Sequence, residues 1–415
     1  MIRFTNGLVL NKDFEIIKDD VFVDGDTIVA IGKYDKQADE TIDLEGNLLM
    51  PSFKNAHTHS AMTFARSFAD DLPLQDWLFN KIFPLEAKLN GDDIYHLSRL
   101  AFLEYLTSGI TACFDMYYFP ENMAKASVDA GFRTVMVCGL NNFKESIPLL
   151  EEYYNKYNNY HPLVSYQLGF HAEYTTDKDL IEQVGKLAQK YKAPVFMHSS
   201  ETESEVNECI ERHGKTPTEL FEHYGLFNYG GGGYHSVWVN DNDLEIYKNK
   251  GVWAIINAGS NCKLASGIAP VAKMLDMGIN IAVGTDGPSS NNALDMFREM
   301  HLITALQKID NKDAASTDAI EILKAATQGS AKCMGLVDCD VIDVGKKADL
   351  IIIDMKRPNM QPVNNILKNI VYSGSKENIK MTMINGKILY RDGKFIETDV
   401  DTIYKNAQAV IDRIR

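Results

Sequence analysis

The stretch SFKNAHTH, residues 52–59, ends in two histidines separated by one residue. Residues i and i+2 of a strand point to the same face, so His57 and His59 can turn their imidazoles to one side, a geometry suited to gripping a metal ion. An H-x-H pair also arises by chance, so its meaning depends on what recurs along the chain. From 51 to 336 a short apolar strand ending in polar residues is followed by a helical stretch, again and again. The further strands are GITACFDMYY to Tyr118, RTVMVCGLNN to Asn142, VSYQLGFHAE to Glu173 and PVFMHSSE to Glu201, then GGGYHSVW to Trp238, VWAIINAGSN to Asn261 and NIAVGTDG to Gly287. Between them, DDIYHLSRLAFLEYLTSG (92–109) and KDLIEQVGKLAQKYK (178–192) carry apolar residues at helical spacing. Such βα repeats predict an α/β fold, a (β/α)8 TIM-like barrel, whose chemistry is placed at the C-terminal ends of its strands.

The two chain ends have a different texture. VFVDGDTIVAIG (21–32) reads as a hairpin turning at Asp-Gly, TIDLEGNLLMP (41–51) continues in short runs, and similar runs return in KKADLIIIDM (346–355) and MTMINGKILYRDGKF (381–395). Both ends are expected to be antiparallel β and to form one small β-sandwich from residues 1–50 plus 337–397. Residues 51–336 make the barrel, and 398–415 a C-terminal helix.

The 415 residues are 45% apolar and carry a formal charge of −15, with no basic run to hold a phosphate backbone. Nucleic acid is not an expected partner. No segment has the order of a signal peptide, no apolar run reaches a membrane span, and the six cysteines form no CxxC pair. A cytoplasmic protein with reduced thiols and a small-molecule substrate is expected.

His198 closes the fifth strand and Asp286 the eighth, at positions that converge with His57 and His59 on one barrel mouth. Three neutral imidazoles and one carboxylate suit a divalent ion, zinc first, with Fe2+, Ni2+ or Mn2+ open on ligand type. A metal with open coordination lowers the pKa of bound water from about 15.7 toward neutrality. Asp286 can take that water's proton, and Glu201 can pass a proton to substrate, with Glu203 and Glu205 as nearby competitors for the role. His235 ends the sixth strand, where it could orient the hydroxide, and His171 ends the fourth, where it could touch substrate. His96, His161, His213, His223 and His301 fall in helix or loop contexts away from the mouth.

The segments NAHTHSAMTFARSFADDLPLQDWL, FPLEAKL, HSSE, SNCKLASGIAPV and GTDGPSSNN, in order, resemble the amidohydrolase superfamily. Within it they resemble the S-adenosylhomocysteine/5′-methylthioadenosine deaminase and chlorohydrolase branch. VDGDTIVAIG and GKKADLIIID extend the similarity nearly end to end. The resemblance implies one metal held by His57, His59, His198 and Asp286, Glu201 as the acid, His235 near the hydroxide, and often a homo-oligomer. It also implies that Glu86 binds ribose hydroxyls, and that His171 and Ser290 line the substrate pocket. Where the family carries an arginine for an amino-acid carboxylate, this chain has Cys138, with Lys144 the nearest substitute. INAGSN (256–261), Glu173 and Ser52 also depart from the pattern and are expected to alter the pocket walls.

These features predict a hydrolytic deaminase of an adenine nucleoside: 5′-deoxyadenosine, 5′-methylthioadenosine or adenosine ahead of S-adenosylhomocysteine. The same chemistry could serve a deaminase or chlorohydrolase of another amino-heterocycle, such as guanine, a pterin or a triazine. A non-catalytic binding protein on the same fold would be marked by broken ligands, and here all are present. The run YGGGGYHSVWVN (229–240) has no Lys or Ser/Thr opening a helix, so it is not a phosphate cradle. It is expected to be a thin or bulged strand against which bulky barrel residues pack.

Overall fold

The computed structural model describes residues 1–415, apart from the side chain of Leu74. Eight parallel strands follow one another in chain order round a single sheet. They are Phe53–Thr58, Ile110–Met116, Arg133–Val137, Val164–Ala172, Val195–Ser199, Gly231–His235, Val252–Ile256 and Asn280–Val283. Helices such as Gly91–Thr107, Lys178–Tyr191 and Asp241–Lys250 connect them. Asn90, Asp177 and Asn240 cap these helices through their side chains, satisfying backbone N–H groups that have no partner inside the helix.

The eighth strand meets the first through a side-chain clamp. Asn55 Nδ2 donates to Thr285 Oγ1 at 2.7 Å, and Asn55 Oδ1 accepts from the Thr285 N–H at 2.9 Å. One residue on, the Asp286 N–H donates to the His57 carbonyl at 2.9 Å. Closure of the barrel therefore delivers Asp286 to the histidines of the first strand. The result is the (β/α)8 architecture expected from the repeats, with chemistry-bearing residues gathered at the strands' C-terminal ends.

All eight strands stop short of the polar ends expected from the sequence, the third at Val137 and the eighth at Val283 as well as the sixth and seventh. The sixth ends at His235, where the backbone turns to a positive φ of 75°, a conformation that cannot continue a strand. The seventh ends at Ile256, and Ala258–Lys263 is helical, with the Gly259 N–H held by the Glu299 carboxylate at 2.9 Å. The glycine run is thin but not bulged: Gly231 to His235 pair in unbroken register with Val195 to Ser199. A side chain at Gly232 would run into Phe196 and Ile255, so the strand is thin because its neighbours fill the barrel interior.

The chain ends form two further sheets. One has four strands in the order Thr27–Ile31, Val21–Asp24, Ile2–Thr5, Glu40–Asp43. The other has seven and joins Leu8–Leu10 and Leu48–Pro51 from the start of the chain to Leu350–Ile353, Ile379–Ile384 and Lys387–Arg391 from its end. Phe4, Val21, Leu49, Leu350 and Met381 share the buried core between the sheets. The Asp-Gly hairpin forms as expected, but the ends are not wholly antiparallel. Ile2–Thr5 pairs in parallel with Glu40–Asp43, and Leu8–Leu10 in parallel with Leu48–Pro51. Alternating apolar residues favour a strand without fixing its partner's direction, which here is set by the long return of the chain.

A buried ionic knot fastens the lower end of the barrel to these sheets. Asp349 accepts from Arg133 Nε at 2.9 Å and Nη2 at 3.0 Å and lies 3.6 Å from Lys54 Nζ. Ser52 belongs to this knot: its Oγ accepts from Lys54 Nζ at 2.6 Å, so it is no pocket wall. The C-terminal helix, Val400–Ile414, buries Ala407, Val410 and Ile414 against Trp77, Ile82 and Leu97, and so braces the segment that carries Glu86. Among the described residues, no helix is long and apolar enough to cross a membrane, and the six cysteines are free.

Candidate active site

His57, His59 and Asp286 bring their donor atoms within 4.8 Å of one another, and so do His57, His198 and His235. His57 belongs to both sets and is fully buried. Asp286 Oδ1 stands 3.4 Å from His57 Nε2 and 3.3 Å from His59 Nε2. Its Oδ2 accepts from Ser260 Oγ at 2.6 Å and from Ser290 Oγ at 2.8 Å. Asp286 and His235 both occupy the left-handed region, at φ 60° and 75°, conformations that cost of order 1–3 kcal/mol each for residues other than glycine. Such cost is tolerated where the surrounding hydrogen bonds impose the geometry.

Three of the imidazoles are oriented by the same device. Nδ1 of His59 lies 2.7 Å from the Met116 carbonyl, Nδ1 of His198 lies 2.8 Å from the His171 carbonyl, and Nδ1 of His235 lies 2.7 Å from Asn261 Oδ1. With an oxygen acceptor on each Nδ1, a neutral ring keeps its proton there and turns Nε2 toward the site. Neither ring nitrogen of His57 finds a hydrogen-bond partner among the described residues.

The charges agree with a cation site. Burial holds His57 down at about 3. Burial also acts to lower His59, but the Asp286 carboxylate outweighs it and pushes that imidazole up to about 9. Burial acts to raise Asp286, and the His57 and His59 imidazoles close to its Oδ1 keep it well below the usual carboxylate range. A buried carboxylate that draws positive charge, facing inward-directed imidazole nitrogens and an orphaned His57, is a donor set that fits zinc.

Beside these residues opens a recess lined by Trp77, Phe83, Tyr117, Tyr118 and Tyr174. Its polar groups include Glu86, His171, Glu201, His235 and Ser290. Glu201 lies 3.8 Å from His235 Nε2 and accepts from Ser266 Oγ at 3.3 Å, and burial raises its pKa. Glu205 serves the backbone instead. It accepts from the N–H groups of Ser200 and Glu201, at 2.9 and 2.7 Å, and thereby fixes the turn that presents Glu201. Glu203 is exposed. Glu86 is buried, accepts from Tyr117 Oη at 2.7 Å, and has a pKa raised by burial. His171 bonds Thr175 Oγ1 through Nδ1 at 2.8 Å and faces the recess.

Of the residues expected to reshape the pocket walls, Ser52 lies in the ionic knot and Glu173 binds Arg212 and His213 outside the recess. INAGSN contributes through Ser260 and Asn261, which hold Asp286 and His235 rather than forming a wall. Sequence pattern alone assigns no role to these two or to Tyr117, and it offers Glu205 only as a competitor of Glu201, not as the residue that fixes its turn. The segment SNCKLASG carries a recognisable motif, but which of its polar side chains turns inward depends on the helix at Ala258–Lys263. His96, His161, His213, His223 and His301 all lie outside the recess.

Comparison with known proteins gives the same family from sequence and from structure. Residues 48–389 match the model of the amidohydrolase family. A 5-methylthioadenosine/S-adenosylhomocysteine deaminase of Caldanaerobacter subterraneus subsp. tengcongensis is 38% identical, over 99% of this chain and 98% of its own. A 5′-deoxyadenosine deaminase of Methanobrevibacter smithii is 36% identical, over 100% and 98%. The crystal structure of an adenosine deaminase from Xanthomonas campestris with bound zinc superposes with a TM-score of 0.95 at 30% identity, covering 100% of this chain and 98% of that one. With a match that spans the barrel and relatives that run end to end, the chain belongs to the amidohydrolase family.

Proposed function

We propose that this protein is a zinc-dependent hydrolytic deaminase of adenine nucleosides, with 5′-deoxyadenosine, 5′-methylthioadenosine and adenosine as its substrates. The observation that carries this reading is the pair of overlapping donor sets around His57, with Glu201 3.8 Å from His235 in the same recess. His57, His59, His198 and Asp286 would hold the ion. Bound zinc lowers the pKa of its water toward neutrality, so a nucleophile is available at ordinary pH.

The protein's own groups then divide the work. Asp286, steadied on Oδ2 by Ser260 and Ser290, accepts a proton from the attacking water. Glu201, whose burial favours the neutral acid, donates its proton to the purine ring nitrogen; the proton held by Asp286 passes to the departing amine, and Glu201 recovers one from the hydroxyl of the tetrahedral carbon as the carbonyl forms. His235 keeps Nε2 directed at the reacting carbon's oxygen because Asn261 occupies its other nitrogen. Glu86 accepts from the ribose hydroxyls, while the aromatic side chains of the recess pack on the base.

The surroundings of Cys138 favour a small, uncharged 5′ group over a homocysteine tail. Cys138 Sγ donates to Glu145 at 2.5 Å, and Lys144 Nζ lies 3.8 Å from Glu86 and 3.9 Å from the centre of the Tyr118 ring. Lys144 is thus engaged, and the half-buried Glu145 carboxylate would repel a substrate carboxylate. The relatives' names support adenine nucleosides as the substrate class, although those of several include S-adenosylhomocysteine as well as 5-methylthioadenosine. A cytoplasmic setting, supported by the free cysteines, belongs to this reading as well.

The test is an ultraviolet assay of the zinc-loaded protein against adenosine, 5′-deoxyadenosine, 5′-methylthioadenosine, S-adenosylhomocysteine, guanine and a pterin. Conversion of the first three to their hypoxanthine counterparts is expected. Turnover of guanine or the pterin with none of any adenine nucleoside would replace this reading with deamination of a free base.

A further inference from the structure

His57 is the one imidazole of the cluster without a hydrogen-bonded anchor among the described residues. It is nonetheless the residue common to both donor sets. Something else must fix its ring, because an imidazole free to rotate about χ2 would not present Nε2 in one direction. The Tyr234 ring lies against it, with centroids 3.8 Å apart and planes 20° from parallel. The other imidazoles meet His57 edge-on, His59 at 4.8 Å and His198 at 4.9 Å.

We propose that Tyr234 is the positioning residue of His57, its ring doing by stacking what a hydrogen-bond acceptor on Nδ1 does for His59, His198 and His235. The inference rests on the reading of His57 as a zinc ligand. χ2 sets the plane of an imidazole, so a ring held flat against a fixed aromatic face is restricted to two orientations related by a flip, and the Asp286 carboxylate 3.4 Å from Nε2 selects the one that faces the site. The phenol oxygen takes no part: it is buried without a partner among the described residues. The ring itself is held by the barrel interior, edge-on to Phe114 at 6.1 Å.

The glycine run is what makes this arrangement possible. Residues 232 and 234 share the inward face of the strand. Gly232 leaves its share of the interior to Phe196 and Ile255, so the layer beneath the site can hold Phe114, Phe196 and Tyr234 together. A side chain at 232 would drive Phe196 and Ile255 into the space that Tyr234 needs under His57. Gly232 thus serves the site indirectly, by letting a large aromatic ring stand one residue before His235.

The test is the zinc dissociation constant of the full chain, measured by chelator competition on metal-stripped native protein, Tyr234→Phe and Tyr234→Leu. The cobalt(II) absorption spectrum and the thermal stability of the metal-free proteins are recorded in parallel. Loss of an orienting partner of a metal ligand weakens binding about 10–100-fold, so Tyr234→Leu should weaken zinc by about tenfold or more and change the cobalt spectrum, while Tyr234→Phe stays within about threefold of native. A folded Tyr234→Leu that binds zinc as tightly as native overturns the proposal. So does a folded Tyr234→Phe that loses affinity about tenfold, which would assign the effect to the hydroxyl, and this variant decides even if the leucine variant does not fold. A native chain that takes up no zinc fails differently, because it overturns the metal reading itself.

Discussion

Nε2 of His59 and Oδ1 of Asp286 lie 3.3 Å apart, although one residue follows the first strand of the barrel and the other the eighth. The contact exists because Asn55 clasps Thr285 and the Asp286 N–H donates to His57, so barrel closure and assembly of the donor set are one event. Asp286→Ala is therefore expected to remove both zinc and deamination. Elemental analysis of the purified variant checks the first and ammonia release the second; a variant with a full complement of zinc would exclude Asp286 from the ligand set.

Asn261 gives the second expectation. Its Oδ1 fixes the tautomer and direction of His235 from 2.7 Å, without reaching the recess itself. Asn261→Ala should lower kcat about 10–100-fold with little change in zinc content, the scale seen when an orienting partner is lost. Unchanged kcat would mean that His235 is positioned by other contacts.

Glu86 is expected to govern the sugar rather than the base. A hydrogen bond to a charged group contributes about 1.5–3 kcal/mol, so Glu86→Gln should raise KM for adenosine by roughly tenfold or more. KM for free adenine, which has no ribose hydroxyls to donate, should be little changed. Equal effects on both ligands would remove Glu86 from ribose recognition.

The Asp349 knot predicts a pH signature in stability. Burial acts to raise this carboxyl, but Arg133 and Lys54 outweigh it and hold it well below the usual range. A carboxyl depressed on folding contributes stability that is fully present above its unfolded pKa, about 3.9, and is lost as pH falls below that value toward the folded pKa. Asp349→Asn leaves Arg133 and Lys54 buried without their counter-ion and should cost about 3–5 kcal/mol at neutral pH. Denaturant titrations at neutral pH and below pH 4 check both parts: the variant should be less stable at neutral pH, and the gap between the two proteins should narrow in acid.

Much of this could be read from the chain because a parallel barrel writes its chemistry at strand ends. His57, His59, His198, His235 and Asp286 each fall within a few residues of a strand terminus, and strand termini are marked by the change from apolar to polar residues. What could not be read were the contacts made across the fold. Ser260 and Asn261 act through a short helix where an extended segment was expected. Tyr117 and Glu205 act by holding a carboxylate or a turn, roles that spacing does not encode. Ser52 and Glu173 differ from the family pattern for reasons of ion pairing remote from the recess, visible only once Lys54, Arg212 and His213 are placed. The parallel pairing of Ile2–Thr5 with Glu40–Asp43 was hidden for the same reason: alternation identifies a strand, not its neighbour.

Glu201 offers the most direct test, because its replacement should leave the metal site intact while removing the proton donor. The measurement is ammonia release from 5′-deoxyadenosine by zinc-loaded native protein and by Glu201→Gln, with zinc content determined in both. Deamination by the native protein, and a fall of about 10²–10⁴-fold in the variant at equal zinc content, is the result expected of a positioned general acid. A native protein that releases no ammonia, or a variant that keeps its zinc and its full rate, would contradict the assignment.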